Sequence, residues 1–100
     1  MAICLITNNP NETAKQYETV MSHLRDSGPV PPEGARLLIA GPGSEGWRAV
    51  SVWDDHQSLQ RFFTGRLTAA YHAASVSPEA TTQQTFEIHS LIPPERASLT

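Results

Sequence analysis

The side chains able to move protons near neutral pH are few and widely separated in this sequence. Imidazole changes its charge in this pH range, and the chain has four histidines: His23, His56, His72 and His89. We take His89 as the best candidate for a catalytic proton-transfer residue. Strand alternation turns it away from Phe86 and Ile88, which we assign to the side covered by helices. The alternative interpretation is a histidine at the rim of a subunit interface.

The same histidines predict no metal site. Their spacing contains no His-x-x-x-His or comparable ligand pattern. The glycine-rich segment 41–46 lacks the lysine of a phosphate loop and leads into a strand. We therefore expect no metal and no organic cofactor. Haem, the alternative, would need His72 or His89 as its axial ligand.

Three further polar side chains lie close together in the second half of the chain. Tyr71 and His72 are adjacent, and Arg66 lies one to two helical turns before them. Tyr71 is a second candidate for proton exchange with a substrate. Arg66 could pair with a substrate carboxylate or enolate, and His72 could contact the same molecule. A surface position for the arginine is the alternative.

Two tryptophans flank a serine on one face of a predicted strand. Trp47, Ser51 and Trp53 alternate with Arg48, Val50 and Val52 over residues 47–53. A tryptophan offers a flat apolar surface and one N–H group, which suits a planar ligand. Ser51 has no neighbouring histidine or aspartate that would make it a nucleophile, so we assign it to binding. Packing in the core or at an interface is the alternative for both tryptophans.

The elements that position these residues can be predicted from hydrophobic periodicity and turn signals. A helix follows Thr13, which forms a capping box with Gln16, and a second helix follows Asp54. Gly65 weakens the second helix, so a break is expected there. The predicted strands and helices, in chain order, cover residues 2–7, 14–27, 36–40, 47–53, 55–76 and 83–91.

This order is βαββαβ, which predicts an α+β fold with a four-stranded antiparallel sheet and both helices on one face. The other face then lacks a cover, although it is apolar on either assignment of strand residues 47–53. A second copy of the sheet is the simplest cover, and we place Trp53 in that interface. The domain spans residues 1–91, and residues 92–100 form a tail.

Composition restricts the partners of this domain. The 100 residues carry a net charge of −3, and their single lysine and six arginines form no cluster, which argues against nucleic acid. No segment is long and apolar enough for a membrane span or a signal peptide. One cysteine, Cys4, excludes an internal disulfide. We expect a cytoplasmic protein.

The element order and one continuous motif resemble a known group of proteins. Segment 46–53, Gly-Trp-Arg-Ala-Val-Ser-Val-Trp, leads into Asp54 and then into a helix with Phe62 and Phe63. This pattern is similar to the dimeric α/β-barrel superfamily, and within it to small antibiotic-biosynthesis-monooxygenase-like proteins. The resemblance implies a ferredoxin-like homodimer whose two sheets face each other around a cavity. The group includes cofactor-independent oxygenases, haem-degrading enzymes, lactone isomerases and polyketide cyclases, so fold alone does not select the reaction.

Together these observations lead us to expect a homodimeric small-molecule enzyme of secondary, polyketide-type metabolism. The resemblance favours a cofactor-independent monooxygenase acting on a planar, partly apolar substrate. A polyketide cyclase or isomerase in the same cavity remains an alternative, and so does a dimer that binds a ligand without catalysis.

Overall fold

The computed structural model describes residues 1–92 and contains four strands and a set of helices in the predicted order. The elements are β1 (Ile3–Asn9), α1 (Ala14–Ser27), β2 (Ala35–Gly43), β3 (Gly46–Trp53), α2 (His56–Phe62), a π-helical turn (Phe63–Leu67), α3 (Thr68–Ala73) and β4 (Thr82–Glu87). The predicted tail falls almost entirely on residues 93–100, which lie outside the described residues.

The four strands form one sheet in the order β2–β3–β1–β4, and every neighbouring pair is antiparallel. The helices α1, α2 and α3 lie on the same face of this sheet, because side chains from that face form the core and a cavity with them. The predicted α+β arrangement is therefore the observed one. Its two outer strands are β2 and β4.

Local signals in the sequence determine where the helices start and change. Thr13 accepts a hydrogen bond from the Gln16 amide, and the Gln16 side chain accepts one from the Thr13 amide, which confirms the predicted capping box. The second helix is capped by Asp55 and not by Asp54, since the Asp55 carboxylate accepts from Ser58 N at 2.7 Å. The expected break near Gly65 is a π-helical turn.

The register of β1 and β3 shows which side chains face the helices. Ile3 pairs with Trp53, Leu5 with Ser51 and Thr7 with Ala49. Trp53 belongs to a buried cluster with Leu59 of α2 and is only 1% exposed. The prediction that Trp53 lies in a sheet-to-sheet interface is therefore wrong: this tryptophan is part of the core beneath the helices.

The orientation predicted for the last strand is also wrong. Phe86 pairs with Cys4, whose neighbours Ile3 and Leu5 face the helices, so Phe86 points to the opposite side. Its side chain is 53% exposed. Strand β4 ends at Glu87, four residues earlier than expected, so His89 lies beyond the sheet.

The face away from the helices carries an exposed apolar patch. The patch contains residues from all four strands that share this face by register: Ile6, Leu37, Ile39, Val50 and Phe86. Leu37, Ile39 and Phe86 are each about half exposed. Within residues 1–92, this face therefore lacks a complete cover, as the sequence predicts.

The buried side chains form two separate clusters. The first joins the sheet to α2 through Ile3, Leu5, Trp53 and Leu59. The second joins α1 to α3 and the segment that follows it through Val20, Leu24, Ala70 and Val76. Phe62 packs against both clusters and connects them.

A close approach of two backbones fixes the β2–β3 turn against the end of β1. Gly46 has φ +134°, and a Cβ added there would lie 2.5 Å from Pro10 Cα and 2.6 Å from the Asn9 carbonyl oxygen. Neither backbone atom can rotate away as a side chain would. This contact holds the segment that leads into residue 12, which lines the cavity described below.

We expect Gly46→Ala to lower the free energy of unfolding by about 1 to 3 kcal/mol, because it combines a left-handed φ with a backbone clash. Urea denaturation measures this loss. Gly41→Ala is the matched control, since a Cβ at Gly41 would meet nothing within 4 Å. Equal urea midpoints for the two variants would contradict the proposed contact.

Candidate active site

A cavity of about 400 Å³ lies between the helices and the sheet of a single chain. This volume falls within the range of small-molecule sites. Most of the wall is apolar, formed by side chains of β1, α1, β3 and the second helical segment: Leu5, Val20, Leu24, Trp53, Phe62 and Leu67. The family resemblance implied a cavity between two facing sheets. The observed cavity lies on the other side of the sheet.

A buried carboxylate is the main polar group of this cavity. Glu12 is 7% exposed and accepts a hydrogen bond of 3.4 Å from the Tyr71 hydroxyl. Glu12 lies in the loop between β1 and α1, where its amide donates to the Asn9 carbonyl and the Asn9 side chain accepts from Asn11 N. These bonds fold the Pro10–Asn11 turn so that Glu12 points into the domain.

The environment of Glu12 favours its neutral form more than water does. Burial raises the pKa of the Glu12 carboxyl, and the nearby side chains of Tyr71 and Asn9 partly offset this. Burial and the charge of Glu12 raise the pKa of Tyr71, and burial raises the pKa of Tyr17 as well. Both phenols therefore stay neutral in the pH range where Glu12 titrates.

Trp47 supplies a hydrogen-bond donor that no described residue accepts. Its ring packs against Tyr17 with a centroid distance of 5.0 Å, and both residues line the cavity. The indole Nε1 is buried and has no partner among residues 1–92, and the same is true of the Thr81 hydroxyl. A buried N–H without an acceptor costs free energy, which a ligand oxygen would recover. The substrate-binding role predicted for Trp47 has this geometric support.

Trp53 and Ser51 also line the cavity, but their polar atoms satisfy each other. Trp53 Nε1 donates to Ser51 Oγ at 2.9 Å, and both side chains are buried. Trp53 also packs against Phe62 with a centroid distance of 5.3 Å. These two residues can present an apolar wall to a ligand, whereas Trp47 and Thr81 have polar atoms without a partner among residues 1–92.

Arg66 is not among the cavity-lining residues. Its guanidinium donates to the Leu24 and Pro29 carbonyls at 2.6 and 2.9 Å and to Ser27 Oγ at 3.1 Å. All three acceptors lie at or just after the end of α1, where helix carbonyls lack intrahelical partners. The geometry gives Arg66 a structural role in joining α1 to the π-helical turn, and the predicted role in substrate binding lacks geometric support.

The two candidate histidines occupy different environments. His72 is exposed at the outer surface but also lines the cavity, next to Tyr71. His89 is exposed and does not line the cavity. The geometric reason for a catalytic His89 was its orientation away from the helix-covered core, and that reason no longer holds. Tyr71, the second catalytic candidate, does line the cavity.

Glu12 was missed by the sequence reasoning. It belongs to the turn Asn9-Pro10-Asn11-Glu12, and an acidic residue just before a helix cap is ordinarily solvated. One signal was available: Trp47, Tyr17 and Tyr71 are bulky neighbours that could bury a short loop, but the sequence alone does not bring them together.

Within residues 1–92, no three His, Cys, Asp or Glu side chains are grouped closely enough to hold a metal ion. No helix of this part of the chain is long and apolar enough to cross a membrane.

Comparison with known proteins identifies the class of fold. No protein-family model matches the chain, and no curated protein sequence is similar to it. Solved structures do match. A protein from Chloroflexus aurantiacus, provisionally assigned as an antibiotic biosynthesis monooxygenase, is 12% identical with a TM-score of 0.65, over 93% of this chain and 98% of its own.

Two further structures share the same architecture. SnoaB, a cofactor-independent oxygenase from Streptomyces nogalater, is 13% identical with a TM-score of 0.61, over 93% of this chain and 98% of its own. A dimeric ferredoxin-like protein of unknown function from Thermobifida fusca is 18% identical with a TM-score of 0.60, over 88% and 92%. At these identities the likeness is one of fold. The chain has the ferredoxin-like α+β fold of antibiotic-biosynthesis-monooxygenase-like proteins, which confirms the predicted fold class and resemblance.

Proposed function

We propose that this protein is a cofactor-independent monooxygenase of polyketide-type secondary metabolism that acts on a planar, partly apolar substrate. The observation that carries the proposal is the cavity of about 400 Å³, with its apolar wall and the unpaired indole N–H of Trp47. A flat aromatic ketone or phenol would fill the wall and give Trp47 an acceptor. The fold shared with a cofactor-independent oxygenase supports the same reaction class.

In such a reaction the substrate supplies the electrons. Its enolate or phenolate form reduces O₂, and a carbon–oxygen bond forms at the electron-rich carbon. For a substrate CH₂ group, one oxygen atom is retained as a carbonyl, and the other leaves as water with the two hydrogens. The protein then has to exclude water, hold the anion and accept a proton.

A homodimer is part of this proposal. The patch of Ile6, Leu37, Ile39, Val50 and Phe86 leaves apolar side chains half exposed on a face that no described residue covers. A second copy placed face to face would bury both patches and complete a dimeric α/β barrel. The Thermobifida fusca protein of the same fold is described as dimeric. We also propose a cytoplasmic location, which is compatible with the single buried cysteine, Cys4.

A cyclase or isomerase is the second candidate, favoured by the buried Glu12 carboxylate beside Tyr71, since proton transfer alone would suffice for it. A dimer that binds a ligand without catalysis is the third alternative. A cavity without ionisable groups would favour ligand binding without catalysis. This cavity contains the ionisable Glu12, so that alternative is less favoured.

Oxygen uptake tests the proposed function. Purified protein, treated with a chelator, is incubated with a set of anthrones and hydroxynaphthalenes in an oxygen-electrode cell. We expect one O₂ consumed for each quinone formed, and no conversion under argon. An Ala49→Trp variant, which would fill the cavity floor, is expected to lose this activity. Conversion that proceeds equally under argon would replace the oxygenase with a cyclase or isomerase. Binding without conversion would leave only the ligand-binding function.

A further inference from the structure

We infer that Glu12 is the base that removes the substrate proton, and that the site takes aryl ketones or phenols whose oxygen accepts a hydrogen bond from Trp47 Nε1. This inference deepens the proposed function and rests on it, because it concerns the same cavity. It names the catalytic residue and the substrate class, and it replaces His89 in the role predicted from the sequence.

The first observation is the isolation of the Glu12 charge. The carboxylate is buried and lines the cavity, and no Lys, Arg or His side chain within residues 1–92 forms an ion pair with it. The polar side chains that act on it within residues 1–92 are neutral: the Tyr71 hydroxyl, which donates to it at 3.4 Å, and Asn9. Burying a carboxylate without a cation is costly. A structural role would be filled at lower cost by glutamine, so the carboxylate points to proton transfer.

The second observation is the donor on the same wall. Tyr17 lines the same cavity as Glu12 and Trp47, and its ring packs against Trp47 with a centroid distance of 5.0 Å. Trp47 Nε1 has no acceptor among the described residues. A base and an unpaired N–H in one cavity are the two parts that enolisation needs.

The step balances with these two groups. Glu12 takes a proton from the carbon next to the carbonyl, or from a phenolic O–H. The electron pair of the broken bond moves onto the carbonyl oxygen as an enolate, or stays on the phenolate oxygen. The Trp47 N–H donates to that oxygen, where negative charge develops. Tyr71 acts through Glu12 and is a positioning residue, because its hydroxyl donates to the carboxylate.

Hydrogen–deuterium exchange measures this step without oxygen. The probe is 1-tetralone, a bicyclic aryl ketone with acidic hydrogens beside the carbonyl, in deuterated buffer under argon. Loss of those proton signals is followed by NMR. We expect the wild-type protein to accelerate exchange, and Glu12→Gln to lower the protein-catalysed rate by about a hundredfold or more. Glu33→Gln, which removes an exposed carboxylate outside the cavity, is the control and should match the wild type.

Thermal melts test whether the loss of exchange activity in Glu12→Gln comes from unfolding. Because burial raises the Glu12 pKa, the folded protein holds this proton more tightly than the unfolded chain does. The bound proton therefore stabilises the folded state fully at low pH. This stabilisation is lost as the pH rises through the pKa of Glu12 in the folded protein. Glu12→Gln should melt at or above the wild-type temperature at pH 8, and a Glu12→Asp variant should keep part of the exchange activity.

The pH profile tests the positioning role of Tyr71. Exchange should rise with pH as Glu12 ionises. In Tyr71→Phe the rise should move to higher pH, because the lost hydroxyl no longer holds down the Glu12 pKa. Tyr17 and His72 line the same cavity, and burial raises the pKa of Tyr17, so that phenol stays neutral. A His56→Asn variant, which removes an exposed histidine that does not line the cavity, should keep the wild-type profile.

Two results would overturn the inference: no exchange above buffer with the wild-type protein, or wild-type exchange by a folded Glu12→Gln variant. Oxygen uptake distinguishes the two proposals. Exchange that depends on Glu12 without any O₂ consumption would support Glu12 as the base and contradict the proposed monooxygenase function. O₂ consumption that persists in Glu12→Gln would support the monooxygenase function and contradict the role of Glu12 as the base.

Discussion

A Phe86→Asp variant is expected to be monomeric while each chain remains folded. Phe86 lies on the face opposite the helices and is 53% exposed in the single chain, so the substitution disturbs little of the protomer. In a face-to-face dimer the new carboxylate would be buried without a partner, at a cost of about 3 to 5 kcal/mol. Dissociation would then be about a hundredfold or more easier. Two-fold symmetry would introduce the charge twice.

Sedimentation velocity over a range of concentrations measures this change, and circular dichroism reports whether the protomer remains folded. Ser22→Asp adds the same charge to an exposed position of α1, away from the sheet, and should sediment like the wild type. A monomeric wild-type protein would contradict the proposed dimer. A Phe86→Asp variant that dimerises normally would show that the contact lies on another surface.

Trp53→Ala, in contrast, is expected to destabilise the protomer itself. Trp53 is 1% exposed and packs with Leu59 and Phe62 beneath the helices. Truncating a buried tryptophan costs about 3 to 5 kcal/mol of unfolding free energy. It would also leave the Ser51 hydroxyl without its indole partner. A domain of 100 residues is stabilised by only about 5 to 15 kcal/mol, so this loss removes a large share of its stability.

Urea denaturation followed by circular dichroism measures the loss. Trp53→Phe keeps an aromatic ring but removes the N–H that bonds to Ser51, so it should lose much less stability, about 1 kcal/mol for the hydrogen bond. A Trp53→Ala variant that melts like the wild type but sediments as a monomer would return this residue to the subunit interface, where the sequence had placed it.

The Phe86→Asp and Trp53→Ala variants differ because strand alternation predicts which side chains share a face, but not which face meets the helices. Alternation correctly groups Trp47, Ser51 and Trp53 on one face, since the observed register keeps them together. It does not show which face meets the helices when both faces are apolar, and here Val50 and Val52 compete with the tryptophans. Strand β4 differs for other reasons: its apolar Phe86 lies on the face away from the helices, and the strand ends at Glu87, so His89 lies outside the cavity.

Local signals were more reliable than tertiary ones. The Thr13–Gln16 capping box and the irregularity at Gly65 depend on neighbours within a few residues, so the sequence contains the whole interaction. Glu12 depends on Tyr71, which is 59 positions away. No local pattern marks such a residue, because its burial results from the packing of α1 against α3.

The split between the two buried clusters has a consequence for laboratory evolution. Domains of this size usually have one contiguous core. Here, in the described part of the chain, Phe62 alone packs against both the sheet cluster and the helix cluster, and side chains of both clusters border the unfilled cavity. Larger side chains at small floor positions such as Ala49 would add packing contacts and occupy the space that a ligand needs. A library selected for thermostability alone is therefore expected to enrich cavity-filling substitutions first. Selection for ligand turnover should remove those same substitutions.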